Sequence, residues 1–362
     1  MADIYRSLAL SFIIAFVGSF LMTPVAIRIA PKVGAMDIPK DNRRMHSKAM
    51  PRFGGIAIFL GVLLSMCLML SMSKKMMVIM AGGAAMYILG VVDDIKTLRA
   101  ATKFLVQIVI AIVMYMCDIR VNFLSNFFGY GRAELNEVFC FVVTVIWIVG
   151  ITNTVNLVDG LDGLAAGTTA IASLCIAYVG YIHGMYLSTG ALLALAGGAL
   201  GFLPFNFYPS KIFMGDSGSL FLGFMMSTLS VIGLVKQATL VAVIIPVLVM
   251  GFPIFDTVYA IIRRVINRRP IMEADRLHLH HRLITLGYGQ RRATLMLYCV
   301  SGIMGVSAVT ASRGLFVETV GLYLITALMI YIFLTDANHY MPQIRNPEKP
   351  PLADCDKPEE NK

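Results

Sequence analysis

The chain has 362 residues, 58% of them hydrophobic and 14% charged, where a soluble domain carries roughly 45–50% and about 25%. Its net charge is +9, yet the Lys and Arg residues gather in short loops between apolar runs, which speaks against nucleic acid and for the positive-inside bias of membrane proteins. A soluble globular fold is excluded.

The first apolar run, 7–29, holds about 20 uncharged residues between Leu8 and Arg28, the length an α-helix needs to cross roughly 30 Å of hydrocarbon. It is long for a signal peptide. Arg28, Lys32, Lys40, Arg43 and Arg44 follow it instead of preceding it, which predicts an uncleaved helix with its N-terminus outside. A basic loop then carries His46-Ser47-Lys48-Ala49-Met50-Pro51-Arg52-Phe53-Gly54-Gly55. Helices are expected over 53–72, 75–92 and 103–118. The third span runs into Asp93-Asp94, two anions at a helix C-terminus where the dipole disfavours them. A doubly acidic helix end is better explained by function than by folding. Arg120–Phe123 and the turn Gly129-Tyr130-Gly131 predict a small hairpin on the outer side.

Spans 138–152 and 163–182 flank Asn153-Thr154-Val155-Asn156-Leu157-Val158-Asp159-Gly160-Leu161-Asp162-Gly163. This segment reads as a helix cap with glycine turns or as a site, and two amides with two carboxylates in so apolar a chain favour a site. Gly197, Gly198 and Gly201, within span 187–204, predict close helix packing. Asn206 and the run Phe213-Met214-Gly215-Asp216-Ser217-Gly218 precede span 218–234; Asp216 either caps that helix or helps hold a phosphate and its metal. Span 238–261 contains Pro246 and Pro253 and is expected to bend. The loop after it holds Arg276, His278, His280, His281 and Arg282. A zinc reading is disfavoured, because His278 and His281 lack the i, i+4 spacing with a Glu, and a grip on phosphate or sugar fits better. Spans 294–311 and 315–335 complete the set. Residues 337–362, rich in Pro, Asp, Glu and Lys, read as a disordered cytosolic tail behind a single membrane domain, 1–336. The cysteines form no C-x-x-C pair and read as small packing residues.

About eleven spans give an all-α polytopic membrane protein with a cytosolic C-terminus. On that topology Asp93, Asp94, Asp159, Asp162, Asp216 and Asp256 fall on the side that holds most of the Lys and Arg. Carboxylates among cations at one interface suit phosphate chemistry with a divalent ion, since Mg²⁺ takes oxygen ligands from one or two carboxylates, substrate phosphates and water. A transporter would set such groups near the midplane. The D-G-x-x-A-R signature of CDP-alcohol transferases fails at both Asp159-Gly160 and Asp162-Gly163.

Five of these segments, in this order, resemble the polyprenyl-phosphate N-acetylhexosamine-1-phosphate transferases of the glycosyltransferase 4 type: His46–Gly55, Gly90–Asp94, Asn153–Gly163, Asn206 through Gly218, and His278–His281. The resemblance covers roughly residues 5–335. It implies transfer of a sugar-1-phosphate from a UDP-sugar to a polyprenyl-phosphate lipid at the cytosolic face of a bacterial plasma membrane, releasing UMP. That reaction is the first membrane step of envelope polysaccharide or teichoic acid synthesis. Asp216 with Asn156 would match the site of Mg²⁺, with Mn²⁺ an alternative. Asp93 and Asp94 would orient or deprotonate the lipid phosphate, and Asp159 would join the catalytic set. Lys103 would hold phosphate. Lys48, Asp162, Asn206 and Phe213 would contact the nucleotide, with Phe213 stacking on uracil and Asp162 accepting its N–H. His278, His280, His281 and Arg282 would surround the pyrophosphate and sugar. The pattern Arg276-Leu277-His278-Leu279-His280-His281-Arg282 looks like the WecA/TagO form, whose sugar is N-acetylglucosamine, and not like the three consecutive histidines of the MurNAc-pentapeptide enzymes. A homodimer is left open.

Overall fold

The computed structural model describes residues 2–38, 49–121, 123–125, 132–134, 136–234, 251–266, 283–284 and 287–340. In chain order the helices are α1 (Ala2–Val33), α2 (Gly55–Met69), α3 (Lys74–Lys96), α4 (Ala100–Met116), α5 (Glu137–Val158), α6 (Leu164–Ile182), α7 (Tyr186–Asn206), α8 (Gly215–Leu234), α9 (Gly251–Ile266), α10 (Gln290–Ser312) and α11 (Phe316–Tyr340). Two small antiparallel pairs accompany them: β1 (Met36–Asp37) with β2 (Met50–Pro51), and β3 (Phe123–Ser125) with β4 (Arg132–Glu134). The second pair lies in the segment where a hairpin is expected, with its first strand at Phe123–Ser125 instead of Arg120–Phe123. Among the described residues, six helices (α1, α3, α5, α6, α7 and α10) are long and apolar enough to cross a membrane, and α2, α4 and Phe316–Ile332 of α11 are shorter apolar helices.

Several ends differ from the expected spans, for one physical reason. Hydropathy marks only the stretch that meets hydrocarbon, whereas a helix continues through charged flanks. α1 therefore extends past Arg6 and Arg28, and α10 starts four residues earlier than expected and includes Arg291 and Arg292 in its first turn. α9 continues through Arg263 and Arg264 to Ile266 and contains Pro253. The preceding residues 238–250, with Pro246, lie outside the described residues, as does the side chain of Asp256. α11 runs to Tyr340, into the segment read as tail; 341–362 are outside the described residues.

Helix α8 is buried along nearly all its described length, with Leu220, Leu222, Phe224, Met225 and Leu229 in the core. It packs against α3 and α5, while α1, α2 and α7 form a second tightly packed group. Small residues make the second group possible. A Cβ on Gly197 or Gly201 of α7 would lie 2.3 or 2.2 Å from the backbone oxygens of Phe12 and Phe16 in α1. A ring layer joins the groups: Phe59 of α2 stacks on Tyr87 of α3 at 4.3 Å and meets the edge of Phe221 of α8 at 5.3 Å. These contacts bring the C-terminal ends of α3 and α5 beside the N-terminal ends of α4 and α8. The opposite ends carry a separate network, in which Lys75 and Arg120 both bond Asp118.

Candidate active site

The acidic end of α3 meets the start of α8. Asp94 Oδ1 accepts the backbone N–H of Asp216 at 2.8 Å, and its Oδ2 accepts that of Ser217 at 3.0 Å. Thus Asp94, not Asp216, caps α8, from 122 residues away in sequence. The dipole objection to an anion at the end of α3 is offset because the carboxylate lies at the positive end of α8. The backbone permits this at two glycines. Gly215 has φ +76, and a Cβ there would lie 2.5 Å from Asp94 Oδ2. At Gly90, a Cβ would lie 2.3 Å from Cα of Ser217, so only glycine lets α3 and α8 approach this closely.

Asp216 is thereby released for other partners. Arg52 Nη2 donates to its Oδ1 at 2.6 Å and Lys103 Nζ to its Oδ2 at 2.6 Å. Each cation also holds a second carboxylate: Arg52 Nε lies 3.2 Å from Asp94 Oδ1, and Lys103 Nζ donates to Asp93 Oδ2 at 3.0 Å. Asp93 Oδ1 accepts the N–H of Leu98 at 2.6 Å, closing the turn into α4. Lys103 sits in the first turn of α4, a poor place for a cation, and the two carboxylates account for it. Arg52, just past β2, is held by the backbone around it: its N–H bonds Ala35 O at 2.9 Å, while Phe213 N–H bonds Pro51 O at 2.8 Å and Gly54 N–H bonds Phe213 O at 3.0 Å. Burial alone would weaken the charge on Arg52, but Asp94 and Asp216 outweigh it and raise its pKa.

An open cleft of about 460 Å³ borders this cluster, within the range of small-ligand sites. Arg52, Asn156, Asp159, Asp162, Asn206, Phe213 and Asp216 all line it. Asp162 Oδ2 accepts the N–H of Ser210 at 3.1 Å. Asn206, buried, accepts the N–H of Gly163 at 3.1 Å and donates to Ile212 O at 3.0 Å, so it fixes the cleft wall. Asn156 Nδ2 donates to Ser219 Oγ at 2.8 Å.

Lys48, His278, His280, His281 and Arg282 lie outside the described residues. The structure brings the remaining sequence-predicted residues together: Asp93, Asp94, Lys103 and Asp216 in the ion-pair cluster, and Asn156, Asp159, Asp162, Asn206 and Phe213 along the cleft. Arg52 was not singled out from the sequence. Its signal was present, a cation between Pro51 and Phe53-Gly54-Gly55 at the mouth of a helix, but nothing local shows that it reaches Asp216. Ser210, Gln290 and Tyr298 were also not foreseen, being ordinary residues placed by long-range packing.

Among the described residues, no three of His, Cys, Asp and Glu stand close enough together to hold a metal unaided. The donor set fits Mg²⁺ all the same, for it offers oxygens only, from Asp216, Asp159 and Asn156, and Mg²⁺ takes one or two carboxylates with the rest from phosphate and water. Burial pushes the Asp159 carboxyl well above the usual carboxylate range, Arg52 draws it down, and Asp216 and Asp94 push it further up. A raised folded-state pKa contributes stability that is complete below the unfolded value of about 3.9 and is lost as pH rises through the folded value. Asp159→Asn is therefore expected to melt above wild type at pH 8, with the two curves converging as pH falls toward 4, a difference that thermal melts in detergent would read.

The apolar helices define a multi-pass membrane protein, with carboxylates and cations paired where the ends of α3, α4 and α8 meet. The profile of the family described as Glycosyl transferase family 4 matches residues 76–234. A protein of Bacillus subtilis (strain 168) named "Probable undecaprenyl-phosphate N-acetylglucosaminyl 1-phosphate transferase" is 41% identical over 328 residues, covering 90% of each chain. The decaprenyl-phosphate N-acetylglucosaminephosphotransferase of Mycolicibacterium smegmatis is 33% identical over 332 residues, 84% of this chain and 82% of its own. The phospho-N-acetylmuramoyl-pentapeptide-transferase of Desulforudis audaxviator is 29% identical over 333 residues, 83% and 97% of the two chains. The chain belongs to glycosyl transferase family 4.

Proposed function

We propose that the protein transfers N-acetylglucosamine-1-phosphate from UDP-GlcNAc to undecaprenyl phosphate, releasing UMP, as the opening membrane step of an envelope polymer. The observation that carries the chemistry is the bridge of Asp216 between Arg52 and Lys103 at the edge of the cleft. The 41% identity to the Bacillus subtilis relative supports the sugar and the lipid. In this reading the chain crosses a bacterial plasma membrane about eleven times, N-terminus outside and C-terminus inside, with the cluster at the cytosolic face.

An oxygen of the lipid phosphate attacks the β-phosphorus of UDP-GlcNAc, and the bond to UMP breaks with its electron pair leaving on UMP. The lipid phosphate is mostly ionised at pH 7, its second pKa being about 6, so no strong base is required. Positioning and electrostatics do most of the work in phosphoryl transfer. Lys103 and Arg52 supply the positive charge, held in place by Asp93 and Asp94. Asp162 accepts the uracil N–H, and Phe213 offers its ring to the base. Asn206 shapes the wall behind them. Lys48 contacts the nucleotide, and His278, His280, His281 and Arg282 surround the pyrophosphate and sugar. Mg²⁺ held by Asp216, with Asn156 and Asp159 beside it, would neutralise charge on the pyrophosphate and the leaving UMP.

A second reading keeps the reaction and changes the donor to UDP-MurNAc-pentapeptide, as the Desulforudis audaxviator relative's name suggests; its identity is the lower, 29% against 41%. The deciding experiment is UMP release by purified protein in detergent with undecaprenyl phosphate and Mg²⁺, using each donor in turn. Lipid-dependent release from UDP-GlcNAc is expected, with the pentapeptide donor slower by at least about tenfold. Release from the pentapeptide donor alone overturns the sugar, and none from either, in folded protein, overturns the reading.

A further inference from the structure

Three polar residues of α10, Gln290, Thr294 and Tyr298, recur every fourth position and so share one stripe of the helix. Gln290 lines the cleft. One turn along, Thr294 Oγ1 donates to the carbonyl of Asp162 at 3.5 Å, and a further turn along, Tyr298 Oη donates to the carbonyl of Gly163 at 2.6 Å. Two successive carbonyls of the Asp162–Gly163 turn are thus taken from one side by α10. From the other side, Asn206 holds the Gly163 N–H and Ser210 holds the Asp162 carboxylate. The Tyr298 ring is inlaid against α6, for a Cβ on Gly167 would lie 2.1 Å from it.

We propose that Tyr298 is a positioning residue for the donor nucleotide, its hydroxyl setting the angle at which the Asp162–Gly163 turn presents its carboxylate to the cleft. The inference rests on the UDP-sugar reading and adds a residue outside the five segments that carry the resemblance. The hydroxyl is dispensable for folding, because Gly163 O also accepts the N–H of Gly167 at 2.9 Å and keeps that partner when Tyr298 Oη is removed. Its loss should change the placement of Asp162 and not the stability of α6.

The test compares wild type with Tyr298→Phe, measuring UMP binding by calorimetry and steady-state kinetics for both substrates. Losing one such hydrogen bond is expected to raise the Kd for UMP and the KM for UDP-GlcNAc about five- to tenfold. The melting temperature, kcat and the KM for undecaprenyl phosphate should stay near wild type. Tyr115→Phe, which removes a hydroxyl bonded to Glu137 at the opposite helix ends, should change none of these. Thr294→Val, expected to shift the same two constants about twofold, keeps the question answerable should Tyr298→Phe not survive purification. Wild type that binds UMP and a Tyr298→Phe that binds it equally well would overturn the inference alone. So would a fall in kcat at unchanged KM. Wild type that binds no UMP would overturn the nucleotide reading and the inference with it.

Discussion

Asp216→Ala is expected to reduce UMP release by at least about 10³-fold while leaving the protein folded. The reasoning separates two roles that a buried carboxylate can have. Asp216 joins Arg52 and Lys103, but each cation keeps another carboxylate when it is gone, Asp94 for Arg52 and Asp93 for Lys103. Both cations are also partly exposed, with 34% and 20% of their side chains open to solvent. The loss of stability should therefore be only about 1–2 kcal/mol. Activity falls further because the site loses the carboxylate that spans both cations and that would hold Mg²⁺ in the proposed reaction. Parallel measurement of UMP release and of the melting temperature in detergent checks both halves. An Asp216→Ala protein with more than a tenth of wild-type activity would remove Asp216 from the centre of the mechanism.

Asp94→Ala should fail in the opposite order, stability first. Its side chain is 0% exposed, and it caps α8 through two backbone N–H groups while pairing with Arg52. Removing it strips α8 of its cap and leaves Arg52 short of a partner, at a cost of about 3 kcal/mol. Activity should fall at least about 10²-fold, since Asp216 stands on the turn that the cap organises. Asp94→Asn restores one acceptor but turns an N–H₂ toward the second backbone donor, so it should recover part of the stability and little of the activity. Melting curves and UMP release on the three proteins order them as wild type, Asn, Ala; equal stability of all three would show that α8 does not depend on this cap.

The contrast between these carboxylates marks what was legible in the sequence. Apolar runs, the hairpin, the glycine-rich face of α7 and the acidic segments were visible, because each is a local pattern with a local cause. The site residues could be gathered onto one side for the same reason. The division of labour could not be read. Asp93-Asp94 looked like a matched pair, yet one closes the turn into α4 and the other caps a helix 122 residues on. Asp216 at a helix start left capping open beside ligand binding, and only the α3–α8 contact decides that its backbone is capped while its side chain faces cations. Arg52 and Tyr298 act entirely through partners distant in sequence. Helix ends were misjudged wherever charged flanks such as Arg291-Arg292 continue a helix beyond its apolar stretch.

The bridge at Asp216 has a thermodynamic side. Three carboxylates share two cations there, so the centre nearly balances its own charge before any ligand arrives. A substrate phosphate in the neighbouring cleft would then compete with these carboxylates for the cations. In the proposed reaction, an anionic phosphate that drew Lys103 or Arg52 toward itself would free an oxygen of Asp216 to hold Mg²⁺. Linkage would then require metal and nucleotide each to tighten the other by the same factor, a single cooperative load.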